Sequence, residues 1–113
     1  MKLITAMIRQ ENLPDVKKEL LQVNIGKMTV TNVIGAGQQQ GYEETYRGVK
    51  HEIKLIKKIR LDIAVNENFV QQAISAIIKG ARTGNIGDGK IWVTNIEECV
   101  RIRTGETGKE AIG

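Results

Sequence analysis

The sequence predicts an α+β domain in which two halves, each ordered strand, helix, strand, form one antiparallel four-stranded sheet with two helices on a single face. Two observations support this fold class. Large apolar side chains alternate with polar or small ones at residues 59–65, and each half carries apolar residues at helical spacing. The 113 residues suffice for one domain. This arrangement is the ferredoxin-like plait, and we expect it to span residues 1–113.

The first half begins with an apolar, β-prone run at residues 2–9, which predicts a strand. Asn12 is expected to cap the next helix, with Pro14 tolerated in its first turn. Apolar residues then recur at helical spacing over residues 13–23, which predicts one amphipathic helix. A β-branched run at residues 28–34 predicts the second strand.

The second half repeats this order. The alternation at residues 59–65 predicts a half-buried strand. Either Asn66 or Asn68 is expected to cap the following helix. The inner face of that helix is predicted to consist of six apolar residues, Val70, Ala73, Ile74, Ile77, Ile78 and Ala81. Residues 90–96 then predict the fourth strand.

The segment at residues 83–93 carries the strongest sign of binding chemistry. Two glycines, Gly87 and Gly89, flank Asp88, and Lys90 follows them. Glycine permits positive φ, and consecutive N–H groups aimed at one point form a concave anion site. The lysine adds a mobile cation at the rim of such a site. The segment therefore predicts a phosphate-binding loop that is not a Walker A loop, with a tight structural turn as the alternative.

Composition narrows the function classes. Hydrophobic residues are 41% and charged residues 27%, typical of a soluble globular domain, and no apolar run approaches the roughly 20 residues needed to span a bilayer. Charged residues occur too early in the chain for a signal peptide. The single Cys99 fits a reducing cytoplasm. The net charge is +4 but aromatic residues are only 4%, which disfavours a nucleic-acid binder that stacks bases. We expect neither nucleic-acid binding nor direct membrane insertion.

A long connection of about residues 36–54 separates the two halves. It contains three glycines and no sustained apolar period. A connection of this length in a compact domain is usually functional or disordered. Glu44, Tyr46 and Arg47 at its tip could bind a partner protein, while a solvated hairpin is the alternative that length and composition equally allow.

Two motifs resemble the PII signal-transduction proteins, a family of small nitrogen-regulatory proteins. One is Thr-Tyr-Arg-Gly at residues 45–48, and the other is the glycine-containing segment at residues 83–93. Residues 28–31 and 101–106 also resemble family segments. The likeness covers essentially the whole chain without gaps, and the second motif is long and specific.

The resemblance implies properties that composition does not reveal. PII proteins are homotrimers of the ferredoxin-like plait, with nucleotide sites in the clefts between subunits. They bind ATP or ADP in competition, and Mg-ATP creates a site for 2-oxoglutarate. Their long loop, the T-loop, reports the ligand state to ammonium channels or enzymes of nitrogen assimilation. The resemblance thus implies a cytoplasmic regulator rather than an enzyme, recruited to the membrane where its partner is a channel.

The resemblance also implies a set of binding residues. Those for the nucleotide are Thr29, Gly35, Gly37, Gln38, Asp62, Ile63, Ala64, Gly87, Asp88, Gly89, Lys90, Arg101 and Arg103. Those for 2-oxoglutarate are Gly37, Gln38, Gln39, Gln40, Gly41, Lys58 and Gly87, with Gln39 also implied for Mg²⁺. Lys58 would pair with the distal carboxylate of 2-oxoglutarate. The alternative for Lys58 is an outward-facing strand residue beside Lys57.

Arg101 and Arg103 match the arginines that reach phosphates from a neighbouring subunit in the family. Val100 and Ile102 indicate a short extended piece at this point. Because residues two apart on a strand share a face, both guanidinium groups are expected to point into one cleft. Two solvated surface arginines are the alternative.

The chain departs from the family pattern at several positions of the long loop. His51 stands at the tyrosine that many PII proteins modify, and Val49 stands where some relatives carry a phosphorylated serine. We therefore expect ligands alone to switch the loop, with Tyr42 and Tyr46 left open as alternative acceptors. Gln38 replaces an arginine that would contact the terminal phosphate. Whether ATP or ADP dominates, and whether 2-oxoglutarate sensing is retained, are thus open.

Several other functions stay open at the level of the sequence. Within the family, the chain could sense adenylate alone or regulate nitrogenase directly. Outside the family, it could be a nucleotide phosphotransferase acting through His51, an RNA-binding plait, or a trimeric structural or metal-tolerance relative that binds no nucleotide. The sequence does not identify the partner protein.

Overall fold

The computed structural model describes residues 1–37 and 54–113. The strands are β1 (Lys2–Ile8), β2 (Thr29–Gly37), β3 (Lys54–Val65) and β4 (Lys90–Asn95), and the helices are α1 (Leu13–Gln22), α2 (Val70–Ala81) and α3 (Lys109–Ile112). In the described part of the chain, no helix is long and apolar enough to cross a membrane.

The four strands form one sheet in the order β2-β3-β1-β4, and every neighbouring pair is antiparallel. At the centre, Thr5 of β1 lies opposite Asp62 of β3 on one side and Trp92 of β4 on the other. This order, with two helices on one face, confirms the predicted ferredoxin-like plait.

The core lies between the sheet and the first two helices, because alternate residues of each strand point to the same face. Its buried members include Ile4, Ala6 and Ile8 of β1, Ile59, Leu61, Ile63 and Val65 of β3, Val16 and Leu20 of α1, and Ala73, Ala76, Ile77 and Ala81 of α2. The alternation predicted for residues 59–65 is therefore confirmed. The other side, which we call the outer face, carries Lys58, Arg60 and Asp62.

The two long helices meet at a glycine. A Cβ on Gly80 of α2 would lie 2.6 Å from Cα and 2.7 Å from the backbone nitrogen of Val16 in α1. Real Cβ atoms do not approach backbone this closely, so the helix separation requires glycine here.

The predicted capping is confirmed only in position, and only for α1. Asn12 occupies the N-cap position of α1 but makes no side-chain capping hydrogen bond, and Phe69 rather than Asn66 or Asn68 occupies the N-cap position of α2. A single 3-10 turn precedes each helix, Gln10–Asn12 before α1 and Glu67–Phe69 before α2. The Asn12 amide donates instead to the Ala81 carbonyl at 3.2 Å, and the Asn66 amide donates to the Lys109 carbonyl at 3.4 Å. These side chains thus join distant parts of the chain.

Two strands are longer than the sequence predicts. β2 continues to Gly37 and β3 begins at Lys54, and these two residues pair with each other. The extension lies beyond the helices, where Ile34 and Leu55 are 65% and 72% exposed. Because neither face is buried there, the apolar alternation that identifies a strand is lost.

The short extended piece predicted around Val100 and Ile102 is wrong. In the described residues, a single β-bridge joins Val100 to Thr107, and residues 102–104 form a turn. Gly105 and Gly108, with φ of 74° and 73°, reverse the chain and lead it into α3, which the sequence analysis did not predict. Glycine adopts such φ values without the steric cost that other residues incur.

Candidate functional site

The segment between α2 and β4, residues 83–90, forms what we call the glycine loop. Gly84, Gly87 and Gly89 adopt φ of 89°, 105° and 103°, which confirms the expected use of positive φ. Gly89 is also confined by space, because a Cβ there would lie 1.7 Å from the Met7 carbonyl oxygen. The loop is thereby seated directly against the end of β1.

The Asp88 carboxylate closes the glycine loop from inside. It accepts hydrogen bonds from the Thr83 N–H at 2.8 Å, from the Gly84 N–H at 2.9 Å and from the Thr83 hydroxyl. These hydrogen bonds, the Thr83 hydroxyl first, lower the pKa of Asp88 to about 2. The carboxylate thus stays ionised, and its hydrogen bonds direct it into the loop. This orientation reduces its repulsion of an anion bound beside the loop.

Arg9 is the residue at this site that the sequence analysis missed. Its Nη2 donates to the Ile86 carbonyl at 2.8 Å, and its Nε lies 3.4 Å from the Asp88 carboxylate. A Cβ on Gly87 would lie 3.1 Å from the same Nη2. The sequence shows only an arginine at the end of the predicted first strand. No local pattern indicates that it contacts a loop 77 residues later in the chain.

Lys58 reaches the glycine loop from β3. Its ammonium donates to the Gly87 carbonyl, so two residues implied for 2-oxoglutarate lie in contact. Burial and then the nearby Arg9 charge lower the pKa of Lys58, against opposite effects of Glu11 and Asp88. Because Lys58 lies on the outer face with the loop beside it, this end of the sheet concentrates cationic groups.

A second group of implied residues lies further along the same outer face. Asp62 accepts from the Thr5 hydroxyl at 2.8 Å and from Arg60 Nε at 2.9 Å, and Thr29 lies opposite Asp62 in the sheet. Burial raises the pKa of Asp62, but the hydrogen bonds from Arg60 and Thr5 outweigh it and the net pKa is lowered.

The neighbours of Asp62 on β3 face opposite ways. Ile63 is 1% exposed within the core, whereas Ala64 is exposed on the outer face. Only the backbone of Ile63 is therefore available to a ligand on the outer face.

Arg101 and Arg103, which follow β4, do not share a strand face, so the predicted common orientation is wrong. Arg103 lies exposed in the turn at residues 102–104. Arg101 instead faces residues of its own chain and donates to the Glu106 carboxylate at 2.7 Å. The glycines that follow turn the chain back before a strand face can form.

The implied site residues thus fall into two groups. Lys58 and the glycine loop lie at the end of β1 near Ile8, whereas Asp62 and Ala64 lie toward Lys2. Lys58 and Asp62 are four positions apart on β3, which at roughly 3.3 Å per residue separates them by about 13 Å. Within one chain, a single phosphate or carboxylate group therefore does not contact both groups of residues.

The remaining implied residues belong to the hairpin of β2 and β3. Gly35 pairs with Ile56 and Gly37 pairs with Lys54, just beyond the pair of Val33 with Lys58. The other implied site residues lie outside the described part of the chain: Gln38, Gln39, Gln40, Gly41, Glu44, Tyr46 and Arg47. The predictions for Tyr42, Val49 and His51 also lie outside it. Residues 1–37 and 54–113 hold no cluster of three or more His, Cys, Asp or Glu side chains suited to a metal ion.

Comparison with known proteins identifies the family. The family model described as nitrogen regulatory protein P-II matches residues 1–106. The chain belongs to the P-II family. It is 48% identical to the nitrogen regulatory protein P-II 1 of Methanothermobacter thermautotrophicus over 99% of this chain and 97% of that protein. It is 46% identical to nitrogen regulatory protein P-II of Bradyrhizobium diazoefficiens, covering 99% and 100%, and to nitrogen regulatory protein GlnK1 of Methanosarcina mazei, covering 99% and 97%.

P-II membership confirms the resemblance drawn from the sequence motifs. The matched range contains the glycine loop, Lys58, Asp62 and both arginines, so each group of implied residues lies within the P-II domain. Membership also places this chain among nitrogen regulatory proteins.

Proposed function

We propose that this P-II chain is a trimeric sensor of ATP, ADP and 2-oxoglutarate. Each ligand site would lie in a cleft between two copies, with the nucleotide bound together with Mg²⁺. Through the long loop of about residues 36–54 the trimer would control an ammonium channel or an enzyme of nitrogen assimilation. It would act in the cytoplasm and reach the membrane when bound to a channel.

The separation of the two residue groups supports this proposal most directly. Lys58 and the glycine loop occupy one end of the outer face, while Thr29, Asp62 and Ala64 lie farther toward the opposite end. When two copies pack with these ends together, the two groups form one site. Each closed ring of three copies then contains three such sites.

The glycine loop has the chemistry that nucleotide phosphates require. Its positive-φ glycines hold the backbone in a tight turn, and Lys90 stands exposed at its end. The Asp88 carboxylate is held within the loop by the N–H groups of Thr83 and Gly84, and the Arg9 guanidinium offsets its charge, which reduces the repulsion of an incoming phosphate. A bound nucleotide would supply the phosphates that Mg²⁺ coordinates.

Lys58 suits a switchable role toward 2-oxoglutarate. Its ammonium donates to the Gly87 carbonyl, which is a neutral acceptor. A ligand carboxylate offers a charged acceptor and forms a stronger hydrogen bond than a carbonyl does. Lys58 would therefore move from Gly87 to the distal carboxylate, and the glycine loop would sense that the ligand has bound.

Calorimetric titration of 2-oxoglutarate, first with Mg-ATP and then with Mg-ADP, tests the proposal. We expect binding with Mg-ATP only. Lys58→Met should weaken it by at least about tenfold, the effect of losing a hydrogen bond to a charged group. Lys57→Met removes the same charge from the neighbouring exposed residue on the other face and should leave binding unchanged.

Each other outcome has a definite meaning. Tight nucleotide binding without 2-oxoglutarate binding would show a sensor of adenylates alone. Absence of any nucleotide binding would overturn the phosphate-binding assignment of the glycine loop. Sedimentation at the chain mass of 12.5 kDa, rather than at three times that mass, would contradict the proposal that the site lies between copies.

The partner assignment requires a separate test. Glu44, Tyr46 and Arg47 are the residues of the long loop proposed to contact the partner. Arg47→Ala should abolish binding to a purified ammonium channel while nucleotide affinity stays constant. Retained binding to the channel would remove Arg47 from the contact. Binding to nitrogenase instead would favour direct regulation of that enzyme.

A further inference from the structure

Arg101 donates hydrogen bonds from both terminal nitrogens to residues that follow it in the chain. Its Nη1 donates to the Glu106 carboxylate at 2.7 Å, and its Nη2 donates to the backbone carbonyls of Glu110 at 2.9 Å and Gly113 at 2.8 Å. The Thr104 hydroxyl donates to the same Glu106 carboxylate at 2.7 Å and holds it in place. All three acceptors of Arg101 lie in residues 106–113, which we call the 106–113 segment.

These contacts block the edges of the guanidinium that bind phosphate. Arginine binds phosphate in pairs of hydrogen bonds, through Nη1 with Nη2 or through Nε with Nη2. Nη2 carries two hydrogens, and each is donated to a carbonyl of the 106–113 segment. A phosphate that binds Arg101 in a paired arrangement must therefore displace this segment.

The 106–113 segment also lies near the end of β3. The Asn66 amide, directly after β3, donates to the Lys109 carbonyl at 3.4 Å. Ile112 and Gly113 line a cavity of about 400 Å³ together with Ile63, Val65 and Phe69. Ala64, which is implied in nucleotide binding, lines the same cavity, so the segment lies near both Arg101 and part of the implied nucleotide site.

We propose that the 106–113 segment is a latch that competes with nucleotide phosphate for Arg101. The proposal rests on the proposed function, since it concerns the same nucleotide site. With the latch closed, Glu106 is the anionic partner of Arg101. An incoming phosphate takes the place of Glu106 and the two carbonyls, and the segment moves away from Arg101.

The strength of the contact fits a latch that opens. The side chains of Arg101 and Glu106 are 31% and 41% exposed, so solvent screens their attraction and their separation costs little. A phosphate carries more charge than a carboxylate and forms stronger hydrogen bonds with the same guanidinium. The latch consequently lowers nucleotide affinity without preventing binding.

Nucleotide titrations of matched variants test the latch. Glu106→Gln removes the competing charge with little change of shape and should tighten Mg-ATP and Mg-ADP binding about two- to fivefold, the range of an exposed ion pair. Glu110→Gln removes the same charge from the same segment, but only the backbone carbonyl of Glu110 contacts Arg101. This control should bind nucleotide as the unaltered chain does.

A second variant should loosen the latch near the cavity. Ile112→Asn places a polar side chain among the apolar residues that line the cavity, and it should also tighten nucleotide binding. Leu21→Asn alters an apolar residue that is 62% exposed on α1 and should leave nucleotide binding unchanged. Amide exchange gives an independent readout. The Ala111 amide, which donates to the Gly108 carbonyl at 3.0 Å, should exchange faster in Ile112→Asn and also when nucleotide is added.

The outcomes separate the latch from the proposed function. If Glu106→Gln weakens nucleotide binding or leaves it unchanged, Glu106 is not a competitor and the latch is overturned. Slower exchange of Ala111 on adding Mg-ADP would overturn it as well. If the unaltered chain and all four variants bind no nucleotide, the proposed function fails and the latch falls with it. Binding gained only in Glu106→Gln and Ile112→Asn would support both.

Discussion

The guanidinium of Arg9 lies 3.4 Å from the carboxylate of Asp88 and ties the glycine loop to the end of β1. At this distance Arg9 Nε contributes charge but no hydrogen bond, and among the described residues it has no hydrogen-bond partner. The hydrogen bond from Arg9 comes from Nη2, which donates to Ile86 at 2.8 Å. Arg9 therefore positions the loop through one hydrogen bond and one charge contact.

Replacing Arg9 should loosen the glycine loop and weaken nucleotide binding. Arg9→Met keeps the apolar stem but removes the hydrogen bond to Ile86, a loss of about 1.5–3 kcal/mol for a charged donor. We expect roughly tenfold weaker Mg-ADP binding by calorimetry and faster amide exchange at Gly84. Arg82→Met, an exposed arginine before the same loop, is the control. Equal affinities for both variants would contradict a positioning role for Arg9.

The glycine loop should open at acid pH. Hydrogen bonds lower the pKa of Asp88 to about 2, below the ordinary value of about 3.9. Since the folded-state pKa is the lower one, the stabilisation is complete above the ordinary value and is lost as pH falls through about 2. Amide exchange at Thr83 and Gly84, measured between these pH values and corrected for intrinsic rates, should accelerate. Asp88→Asn should lack this dependence, and an identical pH profile for that variant would refute the assignment.

Gly89 and Gly84 should respond differently to alanine. Both have positive φ, so each substitution costs about 1–2 kcal/mol of backbone strain. At Gly89 the new Cβ would also lie 1.7 Å from the Met7 carbonyl oxygen, whereas at Gly84 nothing lies within 4 Å. Gly89→Ala should therefore lower the free energy of unfolding in urea by more than about 3 kcal/mol. A displaced loop would accompany this loss. Similar unfolding free energies for the two variants would contradict this prediction, because the loop would then have moved away from Met7 without loss of stability.

Gly80→Ala should destabilise the protein, although alanine favours helices by about 1 kcal/mol. The new methyl group would meet the backbone of Val16 at 2.6 Å and force the two helices apart. We expect a net loss of about 1–3 kcal/mol in the free energy of unfolding, which is typical of overpacking. Gln72→Ala, at an exposed position of α2, should change stability little. A stabilised Gly80→Ala variant would mean that the helices shift freely.

The hydroxyl of Thr5 should stabilise the fold through its hydrogen bond to Asp62. Thr5 is 1% exposed and donates to that carboxylate at 2.8 Å. Thr5→Val should lower the free energy of unfolding by about 1.5–3 kcal/mol in the unaltered protein, as expected for loss of a hydrogen bond to a charged group. The same change should cost much less in a protein that already carries Asp62→Asn. The double-mutant cycle from urea unfolding measures this difference. Thr94→Val, at an exposed position, is the control, and additive effects of the first two changes would rule out the coupling.

The sequence predicts those elements best whose residues face one consistent environment. Along residues 59–65 every second side chain is buried against the helices, so the alternation is visible in the sequence and the strand is real. At Lys54 and Leu55 the same strand continues beyond the helices with both faces exposed, and the signal disappears. The strand there is held by its pairing with β2, which a single sequence does not reveal.

The positive φ of the glycine loop could be predicted from the sequence, whereas the direction of the two arginines could not. Gly87 and Gly89 indicate a tight turn locally, because glycine adopts positive φ more readily than other residues. Arg101 would share a strand face with Arg103 only if the chain stayed extended. Gly105 and Gly108 reverse it, and Arg101 then faces Glu106.

By itself the sequence determined the two βαβ halves, the family and the glycine loop, because periodicity and motifs are encoded in neighbouring residues. Only the tertiary structure decided that Arg9 supports the loop, that Lys58 contacts Gly87, and that Arg101 donates hydrogen bonds to the 106–113 segment. The contacts of Arg9 and Lys58 join residues far apart in the chain, and that of Arg101 depends on where a turn falls. Such contacts depend on how the strands pair and the chain turns, and no local pattern records them.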